Sequence, residues 1–97
     1  MGAEPFGRRL REAVGRRGPL CVGMDPHPGL LEAWGLPDDV RGLDVFATRV
    51  VEALGRQLAV LKPQSAFFER HGSAGIAVLE RAVARARALG ALVLLDA

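Results

Sequence analysis

The chain has 97 residues, of which 49% are hydrophobic and 25% are charged, and its net charge is +2. This is the composition of a folded globular segment, and it excludes the low hydrophobicity and high charge of a disordered chain. The arginines are scattered among acidic residues and form no basic stripe, so we expect no nucleic-acid partner. No apolar run approaches the roughly 20 residues of a membrane span, and the amino-terminal stretch lacks a signal-peptide core, so we expect a cytoplasmic protein without a membrane partner.

The first predicted element is an amphipathic helix over residues 5–16, followed by an apolar run at residues 20–24. This run contains the single cysteine, Cys21, which cannot form a disulfide within the chain and suits a reducing compartment. Its apolar neighbours offer nothing that stabilises a thiolate, so we expect a buried structural thiol. Residues 26–39 are rich in proline and glycine, and they predict a loop that contains a short helix.

Two further helices are predicted from apolar residues at helical spacing. The first precedes a second apolar run at residues 58–61, and the second precedes a third run at residues 91–95. Ser73 can cap the start of the second of these helices, and Gly90 lies where a glycine ends a helix. The apolar stripes consist of Leu43, Phe46, Val50 and Leu54 in one helix and of Ile76, Leu79, Val83 and Ala86 in the other.

The three apolar runs do not alternate polar with apolar residues. Continuous runs of this length are typical of strands buried on both faces, as in a parallel sheet covered by helices. The order helix, strand, helix, strand, helix, strand predicts an α/β protein with about three parallel strands. Because three strands leave an unpaired apolar edge, which invites aggregation, we expect the 97 residues to be a truncated part of a larger domain.

A charged residue follows each apolar run: Asp25, Lys62 and Asp96. A charge at the end of a buried strand costs desolvation free energy unless it is paired or faces a site, and in (β/α)8 barrels this rim carries the catalytic residues. A single polar residue at a strand end is also a common cap or turn former. Lys62 is the only lysine of the chain, and the three positions together favour a site for a small molecule.

Three motifs at these strand ends resemble those of the longer, bacterial-type subgroup of orotidine 5'-phosphate decarboxylases. They are Cys-Val-Gly-Met-Asp-Pro-His-Pro at residues 21–28, Lys-Pro-Gln-Ser-Ala-Phe-Phe-Glu at residues 62–69, and Leu-Leu-Asp-Ala at residues 94–97. The last of these is similar to the opening of an Asp-x-Lys-x-x-Asp signature. The resemblance covers residues 5–97, and it implies that residues 1–97 are the N-terminal portion of a single TIM (β/α)8-barrel domain.

The resemblance also implies an activity, namely decarboxylation of orotidine 5'-monophosphate to UMP in de novo pyrimidine biosynthesis, without metal or cofactor. Carried over by position, Asp25 binds a ribose hydroxyl, and Lys62 hydrogen-bonds the ribose and pairs with Asp96. Asp96 lies against the reacting carboxylate. Fixed charges aimed at the charge that develops on C6 are an electrostatic form of catalysis. Members of the family that resemble this chain are dimers, so a homodimer is expected of the intact enzyme.

The chain contains only the first aspartate of the Asp-x-Lys-x-x-Asp signature, and this limits the activity expected of the chain alone. The signature lysine, which would donate a proton to C6, and the second aspartate lie beyond Ala97, as do the loops that would bind the 5'-phosphate. We therefore expect the 97-residue chain by itself to have no decarboxylase activity. The alternatives are another phosphosugar-barrel lyase or aldolase of the same superfamily, a different chemistry in which Lys62 is the nucleophile of a Schiff-base aldolase, and a non-catalytic fragment that acts as an assembly module.

Other polar and aromatic residues have simpler interpretations. His27 stands between two prolines and is expected to be a loop residue, and His71 has no second histidine or cysteine at metal-ligand spacing. Phe67 and Phe68 are expected to pack under the loop, with stacking on a base as the alternative. A phosphate-binding turn at residues 72–75 is a further alternative.

Overall fold

The described part of the chain alternates helices with parallel strands. The structure is a computed structural model that describes residues 5–96. In chain order the elements are α1 (Phe6–Arg17), β1 (Cys21–Met24), α2 (Pro28–Ala33), α3 (Val40–Leu54), β2 (Val60–Pro63), α4 (Ala66–Glu69), α5 (Gly72–Ala88) and β3 (Leu92–Val93). The strands pair in the order β1-β2-β3, and both pairs are parallel, which confirms the predicted α/β class. Within residues 5–96, no helix is both long and apolar enough to cross a membrane.

The strands begin and end at residues other than those predicted. β2 spans Val60–Pro63 and therefore contains Lys62 instead of ending before it. β3 is only Leu92–Val93, which is shorter than the apolar run that predicted it. Backbone hydrogen bonds define a strand, and hydrophobicity does not specify where those bonds stop. Beyond β3 the N–H of Asp96 still donates to the carbonyl of Pro63 at 3.0 Å, so the chain continues alongside β2.

One face of the sheet is covered by α3 and α5. The two helices pack on each other and on Met24 and Leu61 of the sheet, each 1% exposed. The buried side of α5 differs from the predicted stripe, because Ile76 and Val83 are only half-buried. Small residues on this helix instead allow it to approach its neighbours closely. The buried residues of α5 are Gly75, Val78, Leu79, Ala82 and Ala86.

The other face of the sheet is largely open. α1 covers only the part near the amino-terminal ends of the strands, where Ala13 packs with Ala59 and Val60. Within residues 5–96 Cys21 is exposed, so in this part of the chain the predictions of a buried thiol and of a β1 buried on both faces are wrong. The physical reason is the two-residue alternation of a strand, which turns Cys21 away from the helices that cover the opposite face.

The helix α5 ends as predicted but begins differently. Gly90 has a φ of 97°, a conformation that suits glycine, and the N–H groups of residues 90 and 91 donate to carbonyls in the last turn of the helix in a Schellman pattern. At the other end the helix begins at Gly72, its N-cap residue is His71, and no side chain caps it. The predicted Ser73 cap is wrong because this residue already lies within the first turn.

Arg17, the last residue of α1, joins three segments of the chain. Its guanidinium donates to the carbonyl oxygens of Gly55, Leu58 and Leu89 at 2.7, 3.1 and 2.7 Å. Gly55 and Leu89 follow the ends of α3 and α5, where helix carbonyls lack partners and the helix dipole favours a cation. Arg17 therefore fastens the amino-terminal helix to the carboxyl ends of both covering helices.

We expect Arg17→Ala to destabilise the intact protein by about 2–4 kcal/mol, because a hydrogen bond from a charged donor contributes roughly 1.5–3 kcal/mol. The neighbouring Arg16 is exposed and serves as the matched control. Arg16→Ala is expected to change the unfolding free energy by less than about 0.5 kcal/mol. Urea unfolding followed by circular dichroism measures both variants, and equal losses in the two would contradict the role assigned to Arg17.

Candidate active site

The open face of the sheet gathers polar residues at the carboxyl ends of the strands. Parallel pairing sets Gly23 beside Lys62, and an isolated bridge sets Gln64 beside Asp96. Asp25 directly follows β1, and extending the observed pairing of Met24 with Pro63 by one residue would place Asp25 beside Gln64. Because residues two apart share a face of a sheet, the charged residues at these three strand ends belong to one face.

Lys62 lies inside β2 and belongs to the open face. Two residues earlier on the same face, Val60 is buried beneath α1, whereas Lys62 is exposed. Its partner on β1 is Gly23, and a Cβ added at Gly23 would meet the Oδ1 atom of Asp25 at 3.8 Å. Lys62 and the Asp25 carboxylate therefore lie on either side of Gly23, which has no side chain to separate them.

Asp96 is held at the sheet edge by its backbone. Its N–H donates to the carbonyl of Pro63 at 3.0 Å, and its own carbonyl accepts the N–H of Ser65 at 2.9 Å. These bonds attach Asp96 to the loop that follows β2, although β3 itself ends at Val93. The prediction that Asp96 directly closes β3 is corrected in this respect. Ala97, the last residue of the third motif, lies outside the described residues.

The charged residues at this edge are not joined by ion pairs. Among residues 5–96, none of the ion pairs within 4.0 Å includes Asp25, Lys62 or Asp96. A salt bridge of a lysine in contact with water contributes little stabilising free energy. Lys62 is exposed here. The pairing of Lys62 with Asp96 that the resemblance implies is therefore not formed within this part of the chain, and it stays a prediction for the intact enzyme.

The loop that follows β1 is organised by His27. Its Nδ1 accepts the N–H of Leu30 at 3.1 Å and so caps α2, which confirms the predicted loop position. The imidazole ring also lies 6.3 Å from the ring of Phe67, centroid to centroid. Phe68 is 0% exposed and Phe67 is half-buried, so the prediction that they pack under the loop is confirmed for Phe68.

Gln64 is a neighbour of the candidate site that the sequence motifs did not distinguish as a site residue. It is half-buried and directly follows β2, where it forms an isolated bridge with Asp96 and its N–H donates to the carbonyl of Met24 at 3.1 Å. Its amide can both donate and accept hydrogen bonds. The signal in the sequence was its spacing of two residues from Lys62, which puts both on one face. Over residues 5–96, no group of three or more His, Cys, Asp or Glu side chains is arranged to hold a metal ion.

Comparison with known proteins matches the chain to one kind of enzyme. The orotidine 5'-phosphate decarboxylase of Salinispora tropica is 69% identical over 93 residues, that of Streptomyces coelicolor 66% over 94, and that of Myxococcus xanthus 50% over 93. These matches cover 96%, 97% and 96% of this chain but only 34%, 34% and 32% of the relatives. No protein-family model matches the chain.

A solved structure shares the fold. The crystal structure of a protein from Streptomyces avermitilis, described as an orotidine 5'-phosphate decarboxylase, superposes with a TM-score of 0.97 at 66% identity and covers 100% of this chain and 34% of that chain. The described strands and helices are therefore the N-terminal part of a TIM (β/α)8 barrel. Over nearly its whole length the chain is therefore similar to an N-terminal portion of proteins named orotidine 5'-phosphate decarboxylase, and it spans about a third of the length of the curated relatives it matches.

Proposed function

We propose that the intact protein containing this chain converts orotidine 5'-monophosphate to UMP and carbon dioxide, a step of de novo pyrimidine biosynthesis. In this proposal residues 1–97 are the N-terminal portion of a single (β/α)8-barrel domain. The observation that supports it most is that Asp25 directly follows β1, Lys62 lies in β2 and Asp96 lies beside Gln64, all at the carboxyl edge of the sheet. In barrels of this class, that edge holds the active site.

The three charged residues take different roles in the proposed reaction. Asp25 accepts a hydrogen bond from a ribose hydroxyl, and Lys62 donates one to the ribose while its charge attracts Asp96. Asp96 lies next to the carboxylate that leaves. The bond from C6 to the carboxylate carbon breaks, carbon dioxide departs, and the electron pair left on C6 takes up a proton. That proton comes from the signature lysine, in the part of the enzyme beyond this chain.

Electrostatics explains why a charged rim suits this reaction. An ammonium held between carboxylates keeps its proton. Charges that are fixed in a site closed to water interact more strongly than in bulk solvent and need not reorganise as the reaction proceeds. In the intact barrel, further strands cover the face that is open here. Lys62 then loses contact with water, and its electrostatic attraction to Asp96 is stronger than that of an exposed lysine.

The proposal extends to the setting of the enzyme. We propose a cytoplasmic homodimer that works without metal or organic cofactor. Its partner is the small-molecule nucleotide, and nucleic acid and membrane are not partners. The relatives reported above all carry the decarboxylase name, and no observation favours an aldolase, another lyase of the superfamily or an assembly module.

An activity assay on the purified intact protein tests the proposal, with UMP formation and carbon dioxide release as separate readouts. We expect turnover without added metal or cofactor, and we expect it to survive treatment with a chelator. The 97-residue chain assayed alone is expected to be inactive, because the proton donor and the phosphate-binding loops belong to other parts of the barrel. An inactive intact protein, or an active isolated chain, would contradict the proposal.

A further inference from the structure

Two loops at the carboxyl edge of the sheet are joined by a bidentate ion pair. The Nη1 and Nη2 atoms of Arg70 donate to the Oδ1 and Oδ2 atoms of Asp38 at 2.9 and 3.1 Å. Asp38 belongs to the loop between β1 and α3, and Arg70 to the loop between β2 and α5. The hydrogen bond from Arg70 lowers the pKa of the Asp38 carboxyl below its ordinary value, so the pair is charged at neutral pH.

The same two loops meet a second time through aromatic rings. The imidazole of His27, which caps α2 in the first loop, lies against the ring of Phe67 in the second. Each loop is also anchored in the core, since Leu31 of the first and Phe68 of the second are both 0% exposed. The two loops are therefore fastened to each other and to the body of the protein.

The proposed site residues lie at the roots of these loops. Asp25 begins the first loop, directly after β1. The second loop begins beyond Lys62 with Gln64 and Ser65, and the N–H of Ser65 binds the carbonyl of Asp96 at 2.9 Å. A displacement of one loop relative to the other is therefore expected to change the distance between Asp25, which contacts the ribose in the proposed site, and Asp96.

We propose that Arg70 is a positioning residue for nucleotide binding, which acts through Asp38 to hold the loop after β1 against the loop after β2. This inference rests on the proposed function. Arg70 acts on the ribose contacts of Asp25, so its loss weakens binding of the nucleotide more than it slows the chemical step. The two parallel hydrogen bonds require a guanidinium, which an ammonium cannot replace.

The chain supplies a matched control in a second bidentate pair. The Nε and Nη2 atoms of Arg85 donate to the carboxylate of Glu52 at 2.6 and 3.0 Å. Side-chain exposures are 48% and 43% in this pair and 36% and 44% for Arg70 and Asp38. Arg85 and Glu52 lie near the carboxyl ends of α5 and α3, which return toward the opposite edge of the sheet. Removing this pair therefore takes away a similar contact without touching the loops.

The test compares Arg70→Met with Arg85→Met in the intact enzyme, because Met keeps the apolar stem and removes the guanidinium. We expect Arg70→Met to raise KM for orotidine 5'-monophosphate about tenfold and to leave kcat within about twofold. We also expect faster amide hydrogen exchange in residues 26–37. Arg85→Met is expected to leave KM, kcat and the amide hydrogen exchange of residues 26–37 unchanged. In the double variant Asp38→Arg with Arg70→Asp, the two charges are exchanged. This variant is expected to recover most of the affinity for the nucleotide and most of the protection of residues 26–37 from amide hydrogen exchange.

An unchanged KM in Arg70→Met, or equal changes in the two single variants, would overturn the inference. Hydrogen exchange does not depend on the reaction catalysed. If the unaltered protein fails to turn over the nucleotide, the proposed function fails, and the exchange rates alone then decide the inference. Faster exchange in Arg70→Met only supports coupling of the loops through this arginine, and equal exchange in both variants rejects it.

Discussion

Replacing Lys62 by Ala in the intact enzyme is expected to lower kcat/KM for orotidine 5'-monophosphate by about 10²–10³-fold, the usual effect of losing one preorganised polar group at a reacting centre. In the proposed reaction, Lys62 both donates to the ribose and supplies positive charge beside Asp96. Its loss weakens nucleotide binding and leaves the carboxylates at the rim without their counter-charge. Steady-state kinetics with purified protein measures the effect.

Arg56 provides the control for this variant. It is exposed and lies in the turn before β2, at the end of the strand away from the proposed site. We expect Arg56→Ala to keep kcat/KM within about twofold of the unaltered enzyme. Thermal unfolding of both variants checks that they remain folded. A Lys62→Ala enzyme that is folded and keeps most of its activity would refute the assignment of Lys62 to the site.

The variant Gly75→Ala is expected to destabilise the intact protein by about 2–3 kcal/mol, as overpacking does in a tight core. A Cβ at this position would overlap the carbonyl oxygen of Phe68 and lie 2.8 Å from the Cβ of His71. The obstacle is backbone, which no change of rotamer can move, so α5 must shift away from α4. Because α4 follows the loop that binds Asp96, we also expect nucleotide binding to weaken.

Gly15 on α1 is the matched control for the glycine variant. Nothing lies within 4 Å of a Cβ added there, and alanine is the better helix former. Gly15→Ala is therefore expected to stabilise the protein by about 0.5–1 kcal/mol. Denaturant unfolding measures both variants. A stable Gly75→Ala protein would show that α4 and α5 are not packed as closely as the structure has them.

Apart from the short helix α4, which was not predicted, the order and type of the elements were predictable because they depend on local patterns. Continuous apolar runs indicated the three parallel strands, and helical spacing indicated the helices between them. The charged residues at the run ends predicted a site at the carboxyl edge of the sheet; Asp25 directly follows β1, Lys62 lies in β2 and Asp96 lies beside Gln64 at that edge, and their roles in a site stay a prediction. Local sequence was sufficient for these features because period and charge are visible in a short window.

The features that were missed depend on partners distant in the chain. Cys21 is exposed because α1, which packs on the same face of the sheet at Val60, does not cover it, and a local apolar run carries no information on that. Arg17 bonds to the carbonyl of Leu89, 72 residues away, and nothing in its own neighbourhood distinguishes it from other arginines. The Lys62–Asp96 pair could not be evaluated from local sequence either, since its strength depends on how far the rest of the barrel excludes water.

The most direct test of the central claim is a crystal structure of the intact enzyme with bound UMP. We expect the side chains of Asp25 and Lys62 to lie within about 3 Å of ribose hydroxyl groups, and we expect Asp96 to face C6 of the base. A nucleotide bound away from the carboxyl edge of the sheet, or any of these three side chains turned away from it, would contradict the proposed site.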